Sequence, residues 1–436
     1  TAKLGTHLIT SRDTLVHYWN GWWAREALRE GLPLSYTTHL FYPDGVSLIY
    51  QNVGWLNVAA WLLLQLVMEG VAAYNATLLF YLALCGLAAF LLIRELTGDP
   101  LAGLVGMVVY QNWPARLGGL NFPNLVNTAC IPLSLLFLIR TLRRGRWTDG
   151  VLTGVFVALT AYGRWQALIP ATIVIGITLA FAGIRQLLST GGTEKYEVIR
   201  QRWTRSRRRL LPLAAAGLVA VLALLPPAAA LTGQQRSTPT SLIEEESREG
   251  RETDLLAYLT PAENHPVLGR YSAGLHSRYY SDTWDHVSYV GLIPIALGLL
   301  ALRKEGRAAA PWATAAAALL LLGLGPVLRV NGRPYPNLPT LYGLVDRVVP
   351  LSLIRVPARF DVFLALPVAV LAGYGTGVLL SRTRARASWA PVPLTVILGS
   401  IMIFEYLPGR IEMEQQRLSS YYARLAAEPE TFGVLN

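Results

Sequence analysis

The chain has 436 residues, of which 53% are hydrophobic and only 15% are charged. Soluble domains are usually about 25% charged, so this composition argues against a soluble enzyme and is typical of a membrane protein. The formal net charge of +11 suggests a nucleic-acid partner, but the basic residues lie in short gaps between apolar runs rather than along one face, which argues against that class.

The apolar runs predict an all-α, polytopic membrane protein whose outer loops pack over the helices. A span needs about 20 residues, and several of these runs are somewhat shorter, as tilted or buried helices allow. We predict about ten transmembrane helices, near 74–93, 100–113, 123–139, 149–164, 167–184, 211–231, 287–302, 311–327, 359–380 and 389–407.

Arginine and lysine clusters lie in alternate gaps between these runs, and they predict the orientation of the chain. Cytoplasmic loops carry an excess of such residues. The cytoplasmic loops are therefore expected at 140–148, 185–210, 303–310 and 381–388. This places the protein in a cytoplasmic (inner) membrane, with the lipid bilayer as its first partner and the basic stretch 185–210 in contact with anionic lipid head groups.

The same alternation decides the role of the run 52–68. Counting helices back from 140–148 leaves residues 1–73 beginning and ending outside, so either 52–68 does not cross or the whole N-terminal loop lies inside. Its polar residues, such as Asn52 and Asn57, favour a re-entrant or interfacial helix. The alternation also requires one outward-running helix before Thr1.

These assignments divide the chain into five parts, two of them transmembrane. The parts are the first outer loop with interfacial helices (1–73), the N-terminal transmembrane half (74–184), the basic cytoplasmic linker (185–210), the C-terminal transmembrane half (211–407, with outer loops 232–286 and 328–358) and an outer C-terminal segment (408–436). All six histidines lie in the first two outer loops, which argues against a haem or quinone site within the bilayer.

The first outer loop carries the main candidate for chemistry. Residues 13–29 have helical periodicity with an aromatic face that includes Trp19 and Trp22. Asp13 and His17 are four apart and share one helix face, so His17 is a candidate substrate ligand beside Asp13. Asp13 is a candidate general base or metal-binding carboxylate just outside the membrane. The alternative is an interfacial amphipathic helix without chemistry.

Two further groups of polar residues in the second outer loop give weaker signals. Its acids are a solvated charge run in the favoured interpretation, although a second catalytic acid could be among them. These acids are Glu244, Glu245, Glu246, Glu249, Glu252 and Asp254. Asp282, Asp285 and His286, with His276, are metal-ligand types whose spacing matches no known metal signature.

Several short motifs occur in an informative order along nearly the whole chain. They are the acid Asp13 with its Trp-rich helix, Phe41-Tyr-Pro-Asp-Gly45, Ala102-Gly-Leu with Asn112-Trp-Pro114, the segment 121–132, Asp254-Leu-Leu-Ala-Tyr-Leu-Thr-Pro261 with His265-Pro266, Gly323-Leu-Gly-Pro326 with Gly332, and Arg355-Val-Pro-Ala-Arg359-Phe360. In this order they resemble membrane glycosyltransferases of the GT-C superfamily, and more closely the bacterial family 39 and YfhO-like groups.

The resemblance implies transfer of a sugar from a polyprenyl-phosphate donor at the outer face of the membrane. Asp13 would match the first-loop acid that activates the acceptor or binds a metal, so a divalent metal ion is a candidate cofactor. Arg355 and Arg359 would hold the donor phosphate, because guanidinium groups suit phosphate geometry. Arg116 has the same interpretation. The alternative for these arginines is snorkelling at the interface.

Two departures from the family leave a second function open. The helix expected before Asp13 is missing, and no second acid stands beside Asp13 in the sequence. The alternative is a non-catalytic accessory or scaffold subunit of a larger respiratory or photosynthetic electron-transport complex, with other membrane subunits as partners. A transporter would show intramembrane polar sites and inverted repeats, and the sequence indicates neither.

Overall fold

The computed structural model of the chain describes residues 3–49, 51–188, 196–237, 251–279, 287–347, 356–415, 420–425 and 427–428. The helices of this part are α1 (Arg12–Glu30), α2 (Trp55–Leu64), α3 (Gly70–Thr97), α4 (Pro100–Gln111), α5 (Pro114–Gly118), α6 (Pro123–Val126), α7 (Cys130–Arg144), α8 (Trp147–Gly163), α9 (Leu168–Leu188), α10 (Tyr196–Ser237), α11 (Gly269–His276), α12 (Leu292–Lys304), α13 (Gly306–Gly323), α14 (Leu341–Val345), α15 (Phe360–Arg386), α16 (Pro391–Glu405) and α17 (Ser420–Leu425). The strands form three antiparallel pairs: β1 (Leu8–Ile9) with β6 (Met413–Glu414), β2 (Tyr36–Thr37) with β3 (Val46–Ser47), and β4 (Leu328–Val330) with β5 (Arg333–Tyr335).

The predicted all-α polytopic membrane fold is confirmed. Each of the ten predicted apolar segments overlaps a helix, namely α3, α4, α7, α8, α9, α10, α12, α13, α15 and α16. Within the described residues, five helical stretches are long and apolar enough to cross a membrane on their own. These are Gly70–Thr97, Pro123–Arg144, Trp165–Leu188, Leu210–Gly233 and Pro357–Arg386.

The run 52–68 forms α2, which has ten residues and is about 15 Å long, half of a hydrocarbon core of about 30 Å. The polar residues of this run bind protein rather than lipid. Asn57 Oδ1 accepts from Asn127 Nδ2 at 3.0 Å, and Asn52 Nδ2 donates to Gln166 Oε1 at 2.9 Å. α2 therefore lies against the ends of the bundle helices.

Burial distinguishes the central helix from the peripheral ones. The most apolar stretch of Pro357–Arg386 is 78% buried, whereas that of Leu210–Gly233 is 11% buried. A helix that is apolar all round belongs either in the centre of a bundle or against lipid. α15 lies in the centre of the bundle, where it packs on α3, α4, α12 and α13. α10 lies at the periphery and packs mainly on α8.

Two glycines of α8 bring α10 into close contact. A Cβ atom on Gly150 would overlap the carbonyl oxygen of Pro212, and one on Gly154 would overlap that of Ala216. The four-residue spacing is the small-residue pattern that lets transmembrane helices approach each other closely. Tyr162 Oη adds a hydrogen bond of 2.9 Å to the Ala223 carbonyl.

The two ends of the bundle differ in charge. At one end, which we call the basic end, Glu95 binds Arg140, Arg143 and Arg144, and Arg384 contacts Asp99 at 2.6 Å. The other end, which we call the loop end, carries α1, α2 and the outer segments. Because α3 and α15 run from the loop end to the basic end, the two ends lie on opposite sides of the bundle.

Two acids of the second outer loop are buried, which corrects the prediction of a solvated charge run for them. Glu252 binds Arg329 at 2.6 Å, and Asp254 accepts the backbone N–H groups of Asn331 and Gly332 at 3.0 and 2.7 Å. Each acid is 3% exposed. A buried carboxylate is stable only when its oxygens accept hydrogen bonds or pair with a cation. These contacts attach the loop to the β4–β5 hairpin. The remaining acids of the run, at 244–246 and 249, lie outside the described residues.

Candidate functional site

Helix α1 presents Asp13 at the loop end because of how the helix begins. Ser11 has extended backbone angles, and its side chain accepts the Asp13 N–H at 3.2 Å, which starts the helix. Asn121 Nδ2 also donates to Ser11 Oγ at 3.3 Å. The first turn of α1 is therefore fixed to the segment after α5, and an acid in a first turn is favoured by the helix dipole.

Asp13 lies on the wall of a cavity of about 380 Å³, which we call the acidic cavity. Asp13 itself is exposed, whereas Glu405 on the same wall is only 9% exposed. The acidic cavity is lined by the start of α1, the segment around Asn121, and the chain after α16. The polar lining side chains are Thr10, Ser11, Asp13, Asn121, Asn264, Tyr289, Glu405, Tyr406 and Arg410. Two carboxylates and an arginine thus share one water-accessible space.

Glu405 is a second acid in Asp13's cavity that sequence reasoning missed. Its carboxylate accepts the backbone N–H groups of Leu292 and Ile293, at 3.1 and 3.3 Å, and so caps the start of α12. Tyr289 Oη donates to the same group at 3.3 Å. These three donors fix Glu405 in place, while Asp13 is exposed at the mouth of the cavity.

His17 lies one turn after Asp13 on α1, but it faces a different part of the protein. Its ring makes an edge-on contact with Phe122, with ring centroids 6.4 Å apart. It lines a small separate cavity with Trp61 and Tyr74. The predicted pairing of His17 with Asp13 on one helix is therefore found, but the two side chains do not line the same cavity.

A cationic cluster lies beside the acidic cavity, and it contains one arginine that the sequence interpretation did not select. Arg164, 6% exposed, donates to Asn124 Oδ1 at 3.0 Å. Arg359 lies close enough for its charge to repel that of Arg164, and its guanidinium lies 5.8 Å from the centroid of the Phe122 ring. Among the described residues, no carboxylate contacts Arg164. A buried cation without a counter-charge is costly, so this cluster favours an anion from outside the protein.

The cationic cluster and the acidic cavity are neighbours. Phe122 contacts both His17 and Arg359, while the preceding residue, Asn121, lines the acidic cavity.

The other two arginines of the prediction differ in their placement. Arg116 is fully buried, donates to Thr128 Oγ1 at 2.7 Å and to the Tyr110 carbonyl, and lies 4.1 Å from the centroid of the Tyr110 ring. It does not line the acidic cavity, and its contacts join α4, α5 and the start of α7. Arg355 lies outside the described residues.

The metal that the resemblance implies has no evident ligand set in this part of the protein. Within the ranges given above, no three His, Cys, Asp or Glu side chains converge on one point. Asp282, Asp285 and His286 lie outside those ranges, and His276 Nε2 is 2.8 Å from the Pro261 carbonyl.

The burial of His17 predicts that the folded protein loses stability at acidic pH. Burial, and then the charge of Arg164, lower the pKa of His17 from 6.5 to about 4. Between these values the unfolded chain binds a proton that the folded protein does not, so stability falls as the pH decreases through this window, by on the order of 2 kcal/mol. The His17→Gln variant should lose less thermal stability between pH 7 and pH 4.5 than the unsubstituted protein. Equal losses would contradict this assignment.

Sequence signals for the two missed residues exist, but they are weak. Glu405 ends an apolar run, where an acid is usually taken as the boundary of a span. Arg164 is the last residue of the predicted span 149–164, at the end opposite the basic loops. Arginines are less frequent on the outer side of a membrane protein, and this could have marked it.

Comparison with known proteins shows a similarity to solved structures and none to a family model or curated protein. The chain is similar to the archaeal oligosaccharyltransferase AglB from Archaeoglobus fulgidus, solved in complex with an inhibitory peptide and a dolichol-phosphate, with 13% sequence identity and a TM-score of 0.45. The similarity covers 98% of this chain and 55% of that chain. The chain thus spans about half the length of that protein.

Proposed function

We propose that this membrane protein is a glycosyltransferase that takes a sugar from a polyprenyl-phosphate donor. The observation that carries the proposal is Arg164, a buried arginine beside Arg359 with no carboxylate against it among the described residues. A phosphate would supply the missing negative charge, since guanidinium groups bind phosphate oxygens well. The adjacent acidic cavity supplies the carboxylate that the transfer requires.

In this mechanism the donor phosphate binds the cationic cluster, and its sugar extends into the acidic cavity. Asp13 takes the proton from a hydroxyl group of the acceptor as that oxygen attacks the anomeric carbon of the sugar. The bond from the anomeric carbon to the phosphate oxygen breaks, and the electron pair leaves with polyprenyl phosphate. Arg164 and Arg359 stabilise the charge that develops on this phosphate. Glu405 and Asn121 are placed to hold sugar hydroxyls.

We infer that the reaction occurs at the outer face of a bacterial cytoplasmic membrane. The loop end carries Asp13 and the cationic cluster, and it lies opposite the basic end with Arg140, Arg143 and Arg144. Arginine-rich ends face the cytoplasm in most multi-pass proteins. Labelling of a cysteine introduced at the exposed Asp44, by a reagent that does not cross membranes, tests this orientation in whole cells.

The decisive experiment compares donor binding with transfer in purified protein. Asp13→Asn should keep the affinity for polyprenyl monophosphate but lower the release of this lipid from a polyprenyl-phosphate hexose by at least about 100-fold, since it removes the base. Arg164→Gln should weaken binding of the same lipid about 10-fold or more, because one charge-assisted contact is lost. Binding is followed by tryptophan fluorescence, and release by mass spectrometry.

Two matched controls separate these effects from damage to the fold. Asp44→Asn removes an exposed carboxylate at the loop end that does not line the acidic cavity, and it should leave transfer unchanged. Arg164→Lys keeps the charge and should retain most of the lipid affinity. Transfer by Asp13→Asn at the rate of the unsubstituted protein would rule out Asp13 as the base, and undiminished lipid binding by Arg164→Gln would rule out the phosphate site.

A further inference from the structure

The basic end of the bundle contains a second and larger cavity, of about 920 Å³, which we call the basic-end cavity. It lies among the ends of α3, α7, α9, α10, α13 and α15, and it shares no lining residue with the acidic cavity. The proposed transfer reaction does not use it, since that reaction is placed at the loop end.

The walls of the basic-end cavity are apolar and continue onto the lipid-facing surface. Leu142, Phe181 and Trp312 are among its lining residues. Leu179 on α9 and Leu210 on α10 also line it, and these two side chains are 37% and 59% exposed. α9 packs mainly on α13, whereas α10 packs mainly on α8, so the two helices form separate walls. The cavity is therefore bordered by exposed apolar side chains from two helices, between which a hydrocarbon chain could enter.

The rim of the basic-end cavity is charged, with arginines in excess. It carries Arg143, Arg185 and Arg384 against Asp99 and Glu305. Arg384 is paired with Asp99 at 2.6 Å. In the described part of the chain, no carboxylate contacts Arg185.

Arg143 adds to the excess of positive charge, because it shares its acidic partner with two other arginines. Arg140, Arg143 and Arg144 all contact the single carboxylate of Glu95, at 3.0, 3.4 and 2.8 Å. One negative charge cannot neutralise three guanidinium groups. The rim therefore retains a net positive potential toward the cavity, which attracts anionic groups at a membrane surface.

We propose that the basic-end cavity is a specific site for a phospholipid with an anionic head group. Its phosphate would bind Arg185 and Arg143, and one acyl chain would lie along the wall formed by Phe181, Leu142 and Trp312. The combination of an arginine-rich rim with an apolar interior selects a lipid over a water-soluble phosphate. This site would hold a structural or regulatory lipid at the end opposite the transfer site.

Native mass spectrometry of the purified full chain, with added phosphatidylglycerol or phosphatidylcholine, tests the proposal. The chain should retain phosphatidylglycerol in preference to phosphatidylcholine. Arg185→Gln should weaken phosphatidylglycerol binding about five-fold, the effect of one arginine near a membrane surface. Arg146→Gln is the matched control, because Arg146 is exposed at the same end but does not line the cavity; it should bind as the unsubstituted protein does.

A second variant tests the apolar interior of the cavity. Gly183 lines it, and a Cβ atom there would meet nothing within 4 Å, so Gly183→Phe is expected to narrow the cavity. This variant should lose bound lipid of both head groups. Equal weakening by Arg185→Gln and Arg146→Gln would show only general surface attraction and overturn the proposal. Displacement of phosphatidylglycerol by millimolar glycerol 3-phosphate would also overturn it, because the site would then be one for free phosphate.

Discussion

Replacing Asp361 by leucine should destabilise the protein by about 3 kcal/mol or more, the largest effect that we expect from a single substitution. Asp361 is fully buried in the first turn of α15. Its carboxylate accepts hydroxyl groups of Thr253 at 2.6 Å, Tyr258 at 2.7 Å and Ser288. Leucine has a similar branched shape but is larger and has no acceptor. The buried hydroxyl groups of Thr253 and Ser288 would lose their acceptor at once, and that of Tyr258 would keep only the Leu320 carbonyl, at 3.2 Å.

Asp361→Asn is the matched control, because it keeps the shape and one carbonyl acceptor. It should destabilise less than half as much. The measurement is thermal unfolding in detergent, combined with proteolysis of the segment 251–261, which this cluster joins to α15. Similar unfolding temperatures for the leucine and asparagine variants would show that the hydroxyl groups find other partners.

Replacing Gly154 by valine should separate α10 from α8. A Cβ atom at this position would overlap the Ala216 carbonyl and lie 2.9 Å from the Val219 Cβ, and backbone atoms cannot move aside as a flexible side chain can. Since α10 has few other contacts, we expect the loss to be about 2 kcal/mol. The backbone amides of residues 210–230 should then exchange hydrogen faster, as followed by mass spectrometry in lipid nanodiscs.

Gly176→Val provides the comparison for this effect. Gly176 lies in α9, another peripheral helix, and a Cβ atom there would meet nothing within 4 Å. The same change in helix propensity occurs without a clash, so exchange in 210–230 should stay as it is in the unsubstituted protein. If both glycine variants accelerate this exchange equally, the close approach of α8 and α10 is not what holds α10.

The bundle could be predicted from the sequence because lipid imposes simple rules on it. Long apolar stretches with few charges, such as Gly70–Thr97 and Pro357–Arg386, must be helical to satisfy their backbone groups. The helical periodicity of 13–29 also predicted α1, which Ser11 begins and the positive φ angle of Gly31 ends. The sequence did not reveal which helix is central, because α15 and α10 have similar hydropathy and differ only in their neighbours.

The candidate site was less predictable, because its parts are far apart in the chain. Asp13 could be selected because it precedes a Trp-rich interfacial helix. Glu405 joins it only because the segment after α16 folds back over the start of α1, which no local pattern reports. Arg164 and Arg359 are likewise brought together by the packing of α8 against the outer segments. The GT-C family and the accessory-subunit alternative both stay predictions.

The pairing of Leu8–Ile9 with Met413–Glu414 has a consequence for biosynthesis. Ile9 and Thr10 on one of these segments, and Arg410 and Ile411 near the other, form part of the rim of the acidic cavity. The ribosome therefore delivers Asp13 to the membrane long before Glu405 and its neighbours emerge. A nascent chain that stalls before α16 would carry the proposed base but no enclosed space around it. Under the proposed function, the site would therefore be complete only after α16 and the segment that follows it have folded into place.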